Sequence, residues 1–273
     1  ILALISLGVT YLSTGSPVKL GIEFTGGTLV TVPGIGTEES VGEEFVGYPM
    51  EDIRDVGSRY MLQFGPMSDT QYSDLVKLVN KKFESPDIRH MGPIYSKELQ
   101  SQVVRYLPLS FILMAIVVFV VFRQIVVSSM VVICALADIL IAAASMNLTG
   151  VELSLGTVAA LLMLIGYSVD TDILLSMRVL KRKGDVDEKI IGAMGTGLTM
   201  AGTTIAAVIS LIIISNLLYL IVPSFTRMDV IADMTTVLIF GLMADVFNTW
   251  ITNAQGLRWY LGRQKTASRG QKR

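Results

Sequence analysis

The stretch Leu153–Met177 reads LSLGTVAALLMLIGYSVDTDILLSM, an apolar run with two carboxylates, Asp170 and Asp172, near its end. It exceeds the roughly 20 residues that an α-helix needs to cross a bilayer. Four more apolar stretches have a length suited to spanning: 106–122, 125–146, 190–222 and 230–254. The sequence therefore predicts an α-helical membrane protein.

The composition supports this class. Of the 273 residues, 52% are hydrophobic and only 16% are charged. The formal net charge of −1 argues neither for nor against a nucleic-acid partner, so the arrangement of charges has to be considered instead. The single cysteine, Cys134, cannot form an intrachain disulfide.

The first part of the chain contains a short apolar segment and then a polar one. Residues 1–12 are too few to cross a bilayer, so we expect them to be the remainder of a transmembrane helix. A cleaved signal peptide is the alternative, but no small-residue cleavage site is present. Residues 13–105 have the composition of a soluble domain. The prediction is six transmembrane helices, the first N-terminally trimmed, with an α+β domain between helices 1 and 2.

Local patterns predict the elements of this domain. Val18–Phe24 and Thr28–Val32 are predicted to form a hairpin through Thr25-Gly26-Gly27, since glycines permit the positive φ of a tight turn. Ser68–Phe83 is predicted to be a helix with Ser68 as N-cap. The other predicted elements are a helix over Glu38–Phe45 and strands over Ile53–Val56, Tyr60–Phe64 and Ile88–Tyr95. This order predicts an α+β sandwich with helices on one face of the sheet.

Basic residues in short connections predict the orientation of the helices. Twelve lie on one side of the membrane, and the other side has only Arg227. The twelve are Arg123, Arg178, Lys181, Arg182, Lys183, Lys189, Arg258, Arg263, Lys265, Arg269, Lys272 and Arg273. By the positive-inside rule they are cytoplasmic, so the α+β domain is outside. Residues 106–257 hold helices 2–6, and 258–273 form a basic, disordered cytoplasmic tail. We favour anionic lipid over nucleic acid as the surface that this tail attracts.

Four acids lie deep within the predicted spans, Asp138, Asp170, Asp172 and Asp245, and Asp233 lies close to the outer end of the last span. An ionised aspartate at a helix centre costs about 2.5 to 3.5 kcal/mol, and no basic residue lies in any span. We therefore expect the acids to face the bundle interior and to act as proton-relay residues. The alternatives are that Asp172 reaches toward the cytoplasmic surface, or that the acids only pair helices.

Asp170 and Asp172 cannot both face one pocket on a regular helix, because two residues correspond to a rotation of about 200°. One of them could face this bundle and the other a partner subunit. Alternatively, the helix is locally broken around Gly166-Tyr167-Ser168. The sequence leaves both possibilities open.

Small and hydroxylated residues complete the set of candidates. Ala193, Gly197 and Ala201 recur every four residues and predict close helix packing. Some polar residues could hydrogen-bond a protonated carboxyl: Ser168, Thr171, Asn248, Thr199, Thr203 and Thr204. The sequence contains no metal-ligand spacing, P-loop, GxGxxG or nucleophile triad. We therefore expect no enzymatic activity, no cofactor and no metal.

Two motifs resemble those of one family. Gly21-Ile-Glu-Phe-Thr-Gly-Gly-Thr28, with Gly21, Phe24, Thr25, Gly26 and Gly27 at the motif positions, resembles a signature of the SecF family of protein-export membrane subunits. Gly166-Tyr167-Ser168-Val169-Asp170, followed by Arg178, resembles that family's fourth-span motif. The stretch Gly241–Trp250 resembles the archaeal branch of the family.

The resemblance implies a function and partners. It implies an auxiliary subunit of the Sec machinery in the cytoplasmic membrane, related to RND transporters, with a ferredoxin-like exterior domain. The implied partners are a SecD-like subunit, the Sec translocon channel, the translocating polypeptide, protons and the lipid bilayer. The implied energy source is the proton motive force. The alternative function is that of an RND-type transporter subunit for small molecules or lipids.

Overall fold

The structure is a computed structural model that describes residues 1–34, 37–55, 59–84, 86–181, 184–221 and 229–270. The chain forms two compact units. The larger unit combines Ile1–Lys19 with Tyr106–Arg273, and the smaller unit is Leu20–Arg105.

The smaller unit is an α+β domain, as predicted. Its elements are α2 (Ile22–Thr25), β1 (Gly27–Pro33), α3 (Glu38–Glu43), β2 (Met50–Asp55), β3 (Arg59–Phe64), α4 (Asp69–Lys82) and β4 (Asp87–Met91). The strands form an antiparallel sheet in the order β2-β3-β1-β4. From β1 onward this is the β-α-β-β-α-β arrangement of ferredoxin-like domains.

The core of this domain follows from strand alternation. Val30 and Val32 of β1 alternate along the strand and are fully buried, and they share one apolar cluster with Leu75 and Val79 of α4. The Ser68 and Gln71 side chains form a capping box at the start of α4. The predicted helix with its Ser68 cap is therefore confirmed.

The predicted hairpin through Thr25-Gly26-Gly27 is wrong. Ile22–Thr25 forms a helical turn, and β1 pairs with β3 and β4 instead of with the preceding segment. Gly27 has a φ of 121°, and a Cβ there would lie 2.2 Å from the Phe64 carbonyl oxygen. The glycine permits this close approach to β3, which requires the same positive φ as a tight turn. The last predicted strand was also too long, because β4 ends at Met91 and a helix starts at Pro93.

The larger unit is helical. Its elements are α1 (Leu2–Thr14), α5 (Pro93–Phe122, which starts in the smaller unit), α6 (Ile125–Thr149), α7 (Leu155–Lys181), α8 (Val186–Ile221), α9 (Asp229–Phe247), a π-helical segment (Asn248–Asn253) and α10 (Ala254–Gly270). Within the described residues, five helices are long and apolar enough to cross a membrane, the last running from Asp229 to Arg263, and α1 is a shorter apolar helix. The tail predicted to be disordered instead continues α10 as far as Gly270.

Helices α6, α7 and α9 are packed against one another, and their buried residues fall into two apolar clusters. Along α6, Ala142 belongs to one cluster and Ala135 to the other. Along α9 and its continuation, Leu242 belongs to the same cluster as Ala142, and Ala254 belongs to the same cluster as Ala135. Asp138 lies between the two positions on α6, and Asp245 lies between the two on α9 and its continuation.

Candidate functional site

Three carboxylates from three helices lie in the interior of the bundle. Asp138 of α6 and Asp172 of α7 have no exposed surface, and Asp245 of α9 is 1% exposed. We call these acids and the polar side chains that contact them the polar layer; it consists of Asp138, Ser168, Thr171, Asp172, Asp245, Asn248, Thr249 and Asn253. Buried carboxylates need hydrogen-bond donors, so the donors reveal how each acid is held.

Asp138 has a donor for each of its oxygens. Ser168 Oγ of α7 donates to Asp138 Oδ2 at 2.6 Å. Asn248 Nδ2 of the π-helical segment donates to Asp138 Oδ1 at 2.5 Å. This carboxylate therefore links α6 to α7 and to the π-helical segment.

Asp245 is contacted by two threonine hydroxyls. Thr171 Oγ1 lies 3.0 Å and 3.1 Å from the two carboxylate oxygens, and 2.8 Å from the Ser168 carbonyl oxygen. Thr249 Oγ1, one turn further along, donates to Asp245 Oδ1 at 3.3 Å. A hydroxyl has only one hydrogen to donate, so Thr171 can serve either Asp245 or the backbone at one time.

Asp172 has one donor with a defined hydrogen-bond distance, and the Thr249 side chain also lies beside it. Asn253 Nδ2 donates to Asp172 Oδ1 at 2.8 Å. Asp172 Oδ2 is buried without a hydrogen-bond partner, and so are Asn253 Oδ1 and Ser176 Oγ. Ser176 lies one helical turn beyond Asp172 on α7 and has no exposed surface.

The π-helical segment supplies a donor to each of the three acids. Asn248 contacts Asp138, Thr249 contacts Asp245 and Asn253 contacts Asp172. π-helical turns are rare and are frequently found at functional sites. Among the hydrogen bonds and ion pairs described for these three carboxylates, all donors are hydroxyls or amides and none is a basic side chain.

Asp170 lies apart from this layer. Helix α7 is continuous through Gly166-Tyr167-Ser168, so the local break considered above is not observed. Asp172 is buried and does not reach a surface, whereas Asp170 is exposed on the opposite side of α7. Of the two possibilities, the structure therefore matches the one in which the two acids face different surroundings.

The remaining predicted residues occupy several places. Gly21, Phe24, Thr25, Gly26 and Gly27 lie in the smaller unit. Gly166 is exposed, and Arg178 Nη1 donates to the Gly192 carbonyl oxygen of α8 at 2.7 Å. The residues Ala193, Gly197 and Ala201 are buried on one face of α8. Thr199, Thr203 and Thr204 donate to backbone oxygens of α8 itself, and none of their described hydrogen bonds is to an acid.

Sequence reasoning found Ser168, Thr171 and Asn248 but missed Thr249, Asn253 and Ser176. Asp245, Thr249 and Asn253 recur every four residues, which is a helical face of polar side chains within an apolar span. That periodicity was the available signal.

Family models match most of the chain. The model of the C-terminal part of the protein-export membrane proteins SecD/SecF matches residues 71–263, and that of the SecD/SecF GG motif matches residues 11–33. The chain belongs to the SecD/SecF family. The second match contains the double glycine Gly26-Gly27, and the first contains the polar layer.

Individual SecF proteins are similar over nearly the whole chain. The protein-export membrane protein SecF of Methanolacinia petrolearia is 43% identical, with 96% of this chain and 90% of the relative covered. SecF of Pyrococcus furiosus is 38% identical, with 97% and 88% covered. The crystal structure of SecDF, a translocon-associated membrane protein from Thermus thermophilus, matches with a TM-score of 0.75 and 20% identity. That match covers 96% of this chain and 36% of the SecDF chain, and it shows a shared fold.

Proposed function

We propose that this chain is an auxiliary subunit of the Sec protein-export machinery that uses the proton gradient to assist the movement of polypeptides across the cytoplasmic membrane. The observation that carries the proposal is the polar layer: Asp138, Asp172 and Asp245 are buried together, and their described donors include no basic side chain. Relatives that are named protein-export proteins support the same function.

The absence of a basic donor among the described contacts favours protons as the coupling ion. A buried negative charge without a neighbouring positive charge costs free energy. A proton neutralises the carboxylate and needs no cavity of its own. Three carboxylates in one layer also repel one another when they are ionised. Protons that enter or leave the layer would therefore change which hydrogen bonds it contains.

A membrane potential can act on such a layer. Moving one charge through the full field corresponds to about 2.3 kcal/mol per 100 mV, which is enough to shift the populations of two conformations. We place the smaller unit on the outer side and the C-terminus in the cytoplasm, following the distribution of basic residues. In this arrangement the outer unit would act on the emerging polypeptide near the translocon channel.

The exposed position of Asp170 supports the proposal of a partner subunit. Its carboxylate is exposed on α7, which is otherwise apolar on this side; Met163 is one exposed neighbour there. A charged group directed at lipid is costly, whereas a polar surface on a second subunit could bind it. We infer that a SecD-like subunit covers this face, and that Asp170 contributes to proton transfer or assembly at the contact.

The test is export into membrane vesicles that contain this chain and its SecD-like subunit, with and without a protonophore. Asp172→Asn, which keeps the shape but cannot change its charge, should abolish the part of export that the protonophore abolishes. Asp138→Asn and Asp245→Asn should reduce the same part. Asn80→Asp is the control, because Asn80 lies in α4 and its amide bonds its own helix.

Asp170→Asn separates the two roles of the exposed acid. If it lowers co-purification of the SecD-like subunit, Asp170 acts in assembly; if assembly is intact and gradient-dependent export is lost, it acts in proton transfer. Export that keeps its full gradient dependence in all four Asp→Asn variants would contradict the proposed function.

A further inference from the structure

Two oxygen atoms of the polar layer have no donor, although their residues are already joined. Asn253 Nδ2 donates to Asp172 Oδ1 at 2.8 Å, while Asp172 Oδ2 and Asn253 Oδ1 are buried without partners. Asp172 has no exposed surface and Asn253 is 1% exposed. Buried polar atoms are rarely left unpaired, so a buried pair with one free acceptor on each side requires an explanation.

One proton would satisfy both atoms. A protonated carboxyl group has one O–H donor and one remaining acceptor oxygen, and a primary amide has the complementary acceptor and donor. With a proton on Oδ2, Asp172 can donate to Asn253 Oδ1 while it accepts from Asn253 Nδ2. Without this proton, two acceptor oxygens remain and neither has a hydrogen to share.

We propose that Asp172 and Asn253 form a proton-dependent acid–amide pair that couples protonation to the π-helical segment. The pair has two hydrogen bonds when Asp172 is protonated and one when it is ionised. This proposal rests on the proposed function, in which the polar layer binds protons, and it adds the residue that reports the protonation state.

Compared with the titratable groups around it, Asp172 is the acid at which one added proton would pair the most unpaired atoms. Asp138 and Cys134 face it from α6, and Asp245 faces it from α9. Asp138 already has a donor for each oxygen, and Asp245 has two hydroxyls beside it. Among the three described carboxylates of the polar layer, Asp172 is the one where an added proton also supplies a missing donor to a neighbouring acceptor.

The structural consequence falls on the π-helical segment, since Asn253 is its last residue. Loss of the second hydrogen bond would free the amide oxygen and weaken the anchor at this end of the segment. Ser176 Oγ is buried and unpaired one turn along α7, so its hydroxyl is available to the ionised carboxylate. Proton release would thus exchange a contact with the π-helical segment for one within α7.

Trp250 provides a probe inside the segment. The chain has two tryptophans, so the full-length Trp259→Phe variant leaves Trp250 as the only one. We would measure Trp250 fluorescence against pH in lipid nanodiscs. The parent should show one sigmoidal transition. Asp172→Asn should keep the low-pH emission at every pH, because two amides can form both hydrogen bonds permanently.

The asparagine should set the position of this transition. Asn253→Ala removes two hydrogen bonds from the protonated state and one from the ionised state, so the midpoint should move by about one pH unit, a tenfold change. Ser210→Ala removes an exposed hydroxyl that donates to the backbone of its own helix, and it should leave the midpoint in place. A midpoint that is the same in Asn253→Ala as in the parent would overturn the pair, as would a transition that follows the sodium concentration at fixed pH.

A second measurement needs no substitution, in case the variants do not fold. Infrared difference spectra of the parent chain, with the asparagine side-chain carbonyls labelled with ¹³C, should show the amide band shifting in the same pH range in which a protonated carboxyl band appears. A carboxyl band without a shift in the amide band would refute the pairing. If export depends on the proton gradient but Trp250 fluorescence does not respond to pH, this inference alone is overturned. If Trp250 fluorescence responds to pH but export does not depend on the gradient, the proposed function alone is overturned.

Discussion

Gly197 of α8 lies against the indole ring of Trp250, so closely that a Cβ at Gly197 would be 2.1 Å from Trp250 Cζ2. This contact places the π-helical segment directly on α8. It also explains why a glycine is present in the interior of a long helix, where it is an unfavourable residue.

Gly197→Ala should therefore destabilise the bundle. The new methyl group has to displace a large aromatic ring, and overpacking of this kind costs about 1–3 kcal/mol. Thermal unfolding in detergent should show a lower midpoint for this variant. Gly195→Ala is the matched control, because a Cβ at Gly195 meets no atom within 4 Å. Equal midpoints for the two variants would show that the ring moves without cost.

Gly27→Ala should destabilise the sheet of the smaller unit. The residue has a φ of 121°, and its Cβ would lie 2.2 Å from a backbone oxygen that cannot rotate away. Strain at such a backbone conformation costs about 1–3 kcal/mol. Hydrogen exchange in the full chain should become faster in β1 and β3. Gly92→Ala, at a position with open space, should leave the exchange unchanged.

Ser168→Ala should weaken the polar layer. It removes the donor of Asp138 Oδ2 and leaves a buried carboxylate oxygen unpaired, which costs about 1–3 kcal/mol or more for a charged group. The unfolding midpoint in detergent should fall at neutral pH. Ser210→Ala is the control, since Ser210 is exposed and donates only to the backbone of its own helix. A loss of the same size in both variants would mean that the bond to Asp138 contributes nothing.

Arg178→Ala should loosen the contact between α7 and the start of α8. Arg178 Nη1 donates to the Gly192 carbonyl oxygen at 2.7 Å, and a hydrogen bond from a charged donor contributes about 1.5–3 kcal/mol. Amide exchange should rise in the first turns of α8, from Val186 onward. Lys181→Ala, which removes an exposed charge on the same helix, should have little effect on this exchange. Unchanged protection in Arg178→Ala would argue against this role.

Much of the membrane part was predictable because lipid requires long apolar runs and makes each acid conspicuous. The spacing of Asp170 and Asp172 also predicted that they would point in different directions. Which of them is buried depends on how α7 is rotated against α6 and α9, and this is set by contacts between helices. The sequence shows that Ser168, Thr171 and Asp172 lie on one side of a helix. It does not show which other helices contact that side.

Other features required the folded chain. The π-helical segment has no local signature that distinguishes it from an α-helix. The four-residue spacing of Asp245, Thr249 and Asn253 predicts a shared helix face, but it does not predict which acid Asn253 contacts. The hairpin prediction failed because a double glycine fits a turn and a close strand contact equally well. Only the pairing of β1 with β3 reveals that Gly27 serves the second purpose.

The exposed position of Asp170 has a consequence for the lifetime of a newly made copy. Until another protein surface covers this side of α7, the bilayer must thin or admit water around the Asp170 carboxylate. Both responses cost free energy. A copy without the proposed SecD-like partner would thus be less stable in a bilayer than a copy whose α7 is covered by it.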